Sequence, residues 1–146
     1  MEEDDLELRK SGSEECDRGV LSDGSLTSDI IHAAITVHRA LGPGFVESFY
    51  EEALCLELQA RNIPLERQKS ISIVYREKVI GEHRLDLLVD ARVVVELKAV
   101  KELDPIHYSI VRSYMKATSV VTGLLINFAS MPLTIKRVGR EQSAYS

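Results

Sequence analysis

The stretch that decides the fold reads RLDLLVD at 84–90 and RVVVELKAV at 92–100. Both halves are rich in aliphatic residues, which is typical of strands buried on both faces of a sheet. A tight loop over residues 90–92, where the two stretches join, predicts a hairpin in which Asp86 directly faces Glu96. Facing side chains in such a hairpin have their β-carbons about 5 Å apart, so two carboxylates are predicted to lie close together.

Two crowded carboxylates destabilise a hairpin unless something neutralises them. A divalent cation would do so, because hard cations bind carboxylate oxygens, and Lys98 would lie on the same face as Glu96. In the alternative register, slipped by two residues, Arg84 pairs with Glu96 and Glu82 pairs with Lys98 as ordinary solvated ion pairs. That slip would place Val89 in the loop and break the aliphatic ladder.

Strict alternation along the two strands sorts their side chains onto two faces. The face predicted to be core carries His83, Leu85, Leu87 and Val89, then Val93, Val95, Leu97 and Ala99. The opposite face carries Glu82, Arg84, Asp86 and Leu88, then Val94, Glu96, Lys98 and Val100.

Hydrophobic periodicity predicts the remaining elements. Helices are expected from a cap at Thr27 or Ser28 to residue 41, over 45–60 with Phe49, Leu54, Leu56 and Leu58 in the core, and over 105–116. Strands are expected over 70–75, 79–89, 93–100, 120–127 and 133–138. The predicted order ααβββαββ defines a single α/β or α+β domain with a mixed sheet flanked by helices.

Charge and composition divide the chain unevenly. Residues 1–28 hold nine acidic and three basic residues, a net of −6, whereas the whole 146-residue chain carries −5. We therefore predict a disordered acidic tail over 1–28, a domain over 29–140 and a short C-terminal tail over 141–146. An acidic N-terminus, two isolated cysteines and the lack of an apolar run of about 18 residues predict a cytoplasmic protein with no membrane contact.

From residue 30 to residue 138 the chain resembles the GxxExxY family, a branch of the PD-(D/E)XK nuclease-like superfamily. The motif that names the family is GFVESFY at 44–50, and HRALGPG at 38–44 precedes it. The core of the superfamily is matched by Asp86, followed by Glu-Leu-Lys at 96–98. The resemblance implies a restriction-endonuclease-like fold and hydrolysis of phosphodiester bonds in nucleic acid, DNA rather than RNA.

The resemblance also implies roles for individual residues. Asp86 and Glu96 would bind Mg²⁺ or Mn²⁺ with the backbone carbonyl of Leu97, and Glu47 would contribute from the second helix, directly or through water. Lys98 would complete the catalytic set as a cation that orients water and stabilises negative charge. Glu47 also suits the first turn of a helix whatever its function.

Three further residues are candidate substrate contacts: Tyr50, His107 and Tyr114. Each has a structural alternative, because a tyrosine commonly packs with its hydroxyl group bonded and a histidine at a helix start commonly has a local partner. The superfamily often carries a glutamine four residues before the tyrosine of the third helix, where this chain has Ile110. The alternative function is therefore a non-catalytic domain of the same fold that binds nucleic acid or a protein partner. Oligomeric state, the number of metal ions and endonuclease against exonuclease action stay open.

Overall fold

A computed structural model describes residues 23–139 of the chain. Its elements are α1 (Gly24–Leu41), α2 (Glu47–Ala60), β1 (Leu65–Tyr75), β2 (Lys78–Val89), β3 (Val93–Lys98), α3 (Pro105–Thr118), β4 (Thr122–Asn127) and β5 (Thr134–Gly139). The order ααβββαββ and the mixed α+β class are confirmed, and the architecture is consistent with a restriction-endonuclease-like fold. Residues 1–22 of the tail predicted over 1–28, and the whole of the tail predicted over 141–146, lie outside the described residues.

The five strands form one sheet in the order β1-β2-β3-β4-β5. The crossover through α3 makes β3 and β4 parallel, whereas the other neighbouring strands are antiparallel. Helices cover both faces of the sheet, because α1 and α2 pack in one hydrophobic cluster and α3 packs in a second. The central strands β3 and β4 are therefore buried on both sides, as their aliphatic sequences predict.

The first helix begins earlier than its sequence predicts. Its N-cap is Asp23, not Thr27 or Ser28, and residues 24–28 belong to the helix, not to a tail. Both Leu26 and Thr27 are buried, so this first turn contributes to the core. The helical spacing of apolar residues does not reveal the extra turn, because Gly24 and Ser25 at its start are not hydrophobic.

The second helix begins at Glu47, two residues later than expected, and presents a different face to the core. Leu54 and Leu58 are buried as predicted, but Phe49 and Leu56 are wrong as core residues because each is more than half exposed. Tyr50 takes the place expected for Phe49, since its ring is fully buried and stacks on Phe128 at 4.5 Å between ring centroids.

The register predicted for the β2–β3 hairpin is confirmed. Val89 pairs with Val93 and Leu87 pairs with Val95, so the alternative register is excluded. Asp90 and Ala91 both have positive φ, at 54° and 56°, and the N–H of Arg92 donates to the carbonyl of Val89 at 2.9 Å. The loop therefore holds the three residues 90–92, as the predicted register requires, with two of them in the left-handed region.

The prediction that one face of β2 is continuous is wrong. Leu87 and Val89 pack beneath α1 and α2, but Leu85 packs in the α3 cluster and His83 contacts Tyr114 of α3. The change of face falls at Asp86. Opposite Asp86, the backbone of β1 departs from the extended conformation at Gln68, whose φ is 51°. Strand β1 begins at Leu65, five residues before its predicted start.

Candidate functional site

Asp86 and Glu96 lie where strands β2 and β3 stop pairing. The backbone ladder ends at Leu87 and Val95, and beyond it the N–H of Leu97 donates to Asp86 Oδ2 at 2.9 Å. The N–H of Asp86 lies 3.5 Å from Glu96 Oε1, a long hydrogen bond. The Asp86 side chain thus takes the place of a backbone acceptor, and the two acids lie side by side in the gap between the strands.

Both acids are hard to ionise in this setting. Burial, together with the charges of Glu51 and Glu47, raises the pKa of Asp86 to about 6, although the Leu97 hydrogen bond lowers it. Burial also raises the pKa of Glu96 to about 8, with a further contribution from the charge of Asp86. A cation beside the two carboxylates would favour their ionised forms and lower both pKa values.

Lys98 provides a positive charge beside this pair. Its Nζ lies 3.7 Å from Glu96 Oε2, and its charge partly offsets the rise in the pKa of Glu96 that burial causes. Its side chain is 19% exposed, against 8% for Glu96, so the ammonium group lies at the mouth of the gap. This arrangement leaves the amine close enough to the carboxylates to act on the same substrate group.

Two acids of α2 face the pair from the side. Glu47 raises the pKa of both Asp86 and Glu96 electrostatically, so its charge reaches the site that the sequence predicts for it. Glu51, one turn further along α2, was not predicted. It is 9% exposed and also raises the pKa of Asp86. Its spacing of four residues from Glu47 places both on one helix face, which is the sequence signal that could have identified it.

Gln68 is a second residue that the sequence did not predict. It lies on β1 with its carboxamide between Glu51 and Asp86, at hydrogen-bond distance from both. It lies two residues before the strand that the sequence predicts over 70–75, and it belongs to no motif.

The three candidate substrate contacts have different surroundings. The Tyr50 hydroxyl group is committed to the loop before α2, since it donates to the carbonyl of Gly42 at 2.6 Å and accepts from the N–H of Phe45 at 3.1 Å. His107 accepts from the N–H of Asp104 through Nδ1 at 3.0 Å and completes the cap of α3. These contacts are the structural alternatives that the sequence allowed.

Tyr114 is nearer to the site than Tyr50 or His107. Its hydroxyl group donates to the carbonyl of Arg84 at 3.2 Å and lies 3.3 Å from His83 Nδ1. Burial raises the pKa of Tyr114 to about 12, and the charges of Glu96 and Asp86 contribute to the shift. The phenol is therefore neutral and close to both acids, whereas the residue one turn earlier, Ile110, offers no polar group.

The donor set suits a hard divalent cation such as Mg²⁺ or Mn²⁺. Asp86, which is half-buried, and Glu96, which is buried, supply carboxylate oxygens, and Lys98 is the cation paired with Glu96. Within residues 23–139, no three His, Cys, Asp or Glu side chains are grouped closely enough to hold an ion by themselves. Magnesium keeps several waters and commonly binds one or two carboxylates, so two acids with backbone oxygen and water are sufficient.

A model of the PD-(D/E)XK nuclease superfamily matches residues 24–138. The chain therefore belongs to this superfamily, and its domain is a nuclease-like domain. Nucleases of the superfamily usually use divalent metal ions, and membership suggests a nucleic-acid substrate.

The fold is also similar to that in the crystal structure of SSO0001, with a TM-score of 0.52 and 16% sequence identity. The similarity covers 67% of this chain and 52% of that chain, so this chain spans about half the length of its structural relative. At this identity the comparison shows the shared fold alone. No curated protein matches the chain. Across residues 23–139 no helix is both long and apolar enough to cross a bilayer.

Proposed function

We propose that this domain is a Mg²⁺- or Mn²⁺-dependent nuclease of the GxxExxY type, which hydrolyses phosphodiester bonds. The observation that carries the proposal is the pair formed by Asp86 and Glu96. Glu96 is buried and Asp86 is half-buried in the gap between β2 and β3, both have raised pKa values, and Lys98 Nζ lies 3.7 Å from Glu96. Without a cation, it is unfavourable for both of these crowded carboxylates to be ionised.

Each residue of the site has a distinct role in this proposal. Asp86 and Glu96 would hold the ion together with the carbonyl of Leu97, and Glu47 would hold a water beside it from α2. When bound, the ion supplies an acidified water and screens charge on the phosphate oxygens. Lys98 would orient that water, and its ammonium group would stabilise the negative charge that develops on the phosphate oxygens.

The substrate is nucleic acid, with DNA proposed over RNA. Lys98 is the more exposed member of its pair with Glu96, so a phosphate would enter from the side of Lys98. The Tyr114 hydroxyl group is proposed to contact substrate, and Tyr50 and His107 would act only by holding the loop and helix around the gap. A cytoplasmic location stays a prediction from the sequence.

Titration calorimetry with Mn²⁺ and a cleavage assay test the proposal together. Purified protein should bind Mn²⁺ and cut single-stranded DNA, double-stranded DNA or RNA with Mg²⁺ or Mn²⁺, and chelator should stop the cleavage. Asp86→Asn should abolish both, whereas Asp29→Asn, on the exposed surface of α1, should change neither. Absence of both metal binding and cleavage in the wild-type protein would overturn the proposal.

A specific observation supports a second candidate, a non-catalytic domain that binds nucleic acid or a protein. The oxygens of Asp86 already have donors within the protein, at Leu97 and Gln68, and α3 has Ile110 where the superfamily often has glutamine. A folded protein that binds oligonucleotides equally well with Mg²⁺ or chelator, and never cuts them, would favour this candidate.

A further inference from the structure

A continuous chain of hydrogen bonds joins α2, β1 and β2 beside the candidate site. The carboxamide of Gln68 donates to Glu51 Oε1 at 2.9 Å and to Asp86 Oδ1 at 3.3 Å. The other oxygen of Glu51 accepts from Arg67 Nε at 3.1 Å. The amide nitrogen therefore has two carboxylate acceptors, and both oxygens of Glu51 have donors. A carboxamide held on two sides has one orientation, and it restricts where Asp86 Oδ1 can lie.

The backbone of Gln68 is held in an unfavourable conformation. Its φ is 51°, in the left-handed region that favours glycine, and Arg84 Nη1 donates to its carbonyl at 3.1 Å. The residues on either side, Arg67 and Lys69, pair with β2, but Gln68 does not. Glycine would adopt this conformation with less strain. Side chains that persist at strained positions cluster at functional sites, which suggests a use for this carboxamide.

We infer that Gln68 is a positioning residue of the candidate site, which fixes the Asp86 carboxylate and couples it through Glu51 to α2. Oδ2 of Asp86 is held by the N–H of Leu97 at 2.9 Å and Oδ1 is held by Gln68, so the carboxylate cannot rotate freely. The inference rests on the proposed function, in which Asp86 holds the metal ion. Groups that orient metal ligands in this way commonly account for about 10–100-fold in metal affinity or activity.

The first experiment separates positioning from stability. Gln68→Ala and Gln68→Gly both delete the carboxamide, but only glycine relieves the strain at positive φ, so the glycine variant should unfold at a higher temperature than the alanine variant. By calorimetry, both should bind Mn²⁺ about 10-fold more weakly than the wild type. Gln59→Ala, the same substitution on the exposed surface of α2, should bind Mn²⁺ normally. Affinity that follows thermal stability, with Gln68→Gly binding like the wild type, would overturn the inference.

The second experiment needs no metal. Hydrogen exchange of the Leu97 amide, which donates to Asp86, should be at least about 5-fold faster in Gln68→Ala and Gln68→Gly than in the wild type, relative to the other amides of β3. If the wild type binds no Mn²⁺, the proposed function fails, and this exchange rate still decides whether Gln68 holds Asp86. If the wild type binds Mn²⁺ but neither affinity nor exchange changes in the variants, the inference fails alone and the proposed function stands.

Discussion

Glu96 carries the pH dependence of the metal-free protein. Its pKa rises from the ordinary 4.5 to about 8 on folding, chiefly through burial, so the folded state holds a proton that the unfolded state releases. This contribution to stability is complete below pH 4.5 and is lost as the pH rises towards 8. Asp86 acts in the same direction between pH 3.8 and about 6.

We therefore expect the thermal midpoint of chelator-treated protein to fall between pH 5 and pH 8 more steeply than that of Glu96→Gln. The amide cannot ionise, so the variant should have the higher thermal midpoint at pH 8. At pH 5 the difference between the two midpoints should be small. Calorimetry across this range measures both curves. Parallel curves for the two proteins would mean that Glu96 is ionised at neutral pH and balanced by Lys98.

Lys98 should affect the reaction more than metal binding. Its Nζ is 3.7 Å from Glu96, close enough to act on a phosphate held at the pair, but a cation does not help to bind another cation. Lys98→Met should lower the cleavage rate by about 100-fold or more while Mn²⁺ affinity changes by less than about 5-fold. Lys101→Met, a substitution of an exposed lysine after β3, is the matched control. A loss of metal affinity as large as the loss of rate would give Lys98 a structural role.

Gly123 on β4 allows α3 to pack closely against the sheet. A β-carbon at this position would lie 2.8 Å from Met115 Sδ and 2.8 Å from Val111 Cγ1, both on α3. The methionine can move, but the branched valine on a helix has little freedom. Gly123→Ala should therefore destabilise the protein by about 1–3 kcal/mol, measured by urea denaturation.

Gly139→Ala on β5, where a β-carbon would meet nothing within 4 Å, should leave stability nearly unchanged. Val111→Ala should cost less in the Gly123→Ala protein than in the wild type, because it removes the atom that the new methyl group meets. Equal costs in the two backgrounds would place the strain elsewhere.

Sequence patterns predicted the elements but not the side chains that complete the site. Periodicity identified the order ααβββαββ, and the aliphatic ladder from Leu87 to Val95 fixed the hairpin register. Period-two reasoning failed at Asp86, which lies opposite Gln68 at the point where both residues drop out of the regular β1–β2 pairing. Glu51 was missed for another reason. Its four-residue spacing from Glu47 places it on the same face of α2, but its hydrogen bonds to Arg67 and Gln68 of β1 are long-range contacts that helical spacing does not predict.

The candidate site depends on both helical layers of the molecule, α1 with α2 on one face of the sheet and α3 on the other. α2 brings Glu47 and Glu51 from one face of the sheet, whereas α3 brings Tyr114 from the other. The five-stranded sheet lies between the two layers. A change in the packing of either layer should therefore reach Asp86 and Glu96.

The boundary of the domain can be tested by two truncations that differ by six residues. Removal of residues 1–22 should change the thermal midpoint by less than about 2 °C, because their acidic composition cannot support a core. Removal of residues 1–28 should lower it by at least about 5 °C, because burial of Leu26 and the first turn of α1 is lost.

Polar contacts add to that difference. Asp23 Oδ2 accepts from the hydroxyl group of Thr122 at 2.8 Å, and the hydroxyl group of Thr27 accepts from Arg137 Nη1 at 3.0 Å, so the longer deletion leaves partners on β4 and β5 without their bonds. The substitution Asp23→Ala in the full chain isolates the first of these contacts and should give an intermediate loss. Equal midpoints for the two truncations would show that the first turn of α1 contributes nothing and would return the boundary to residue 28.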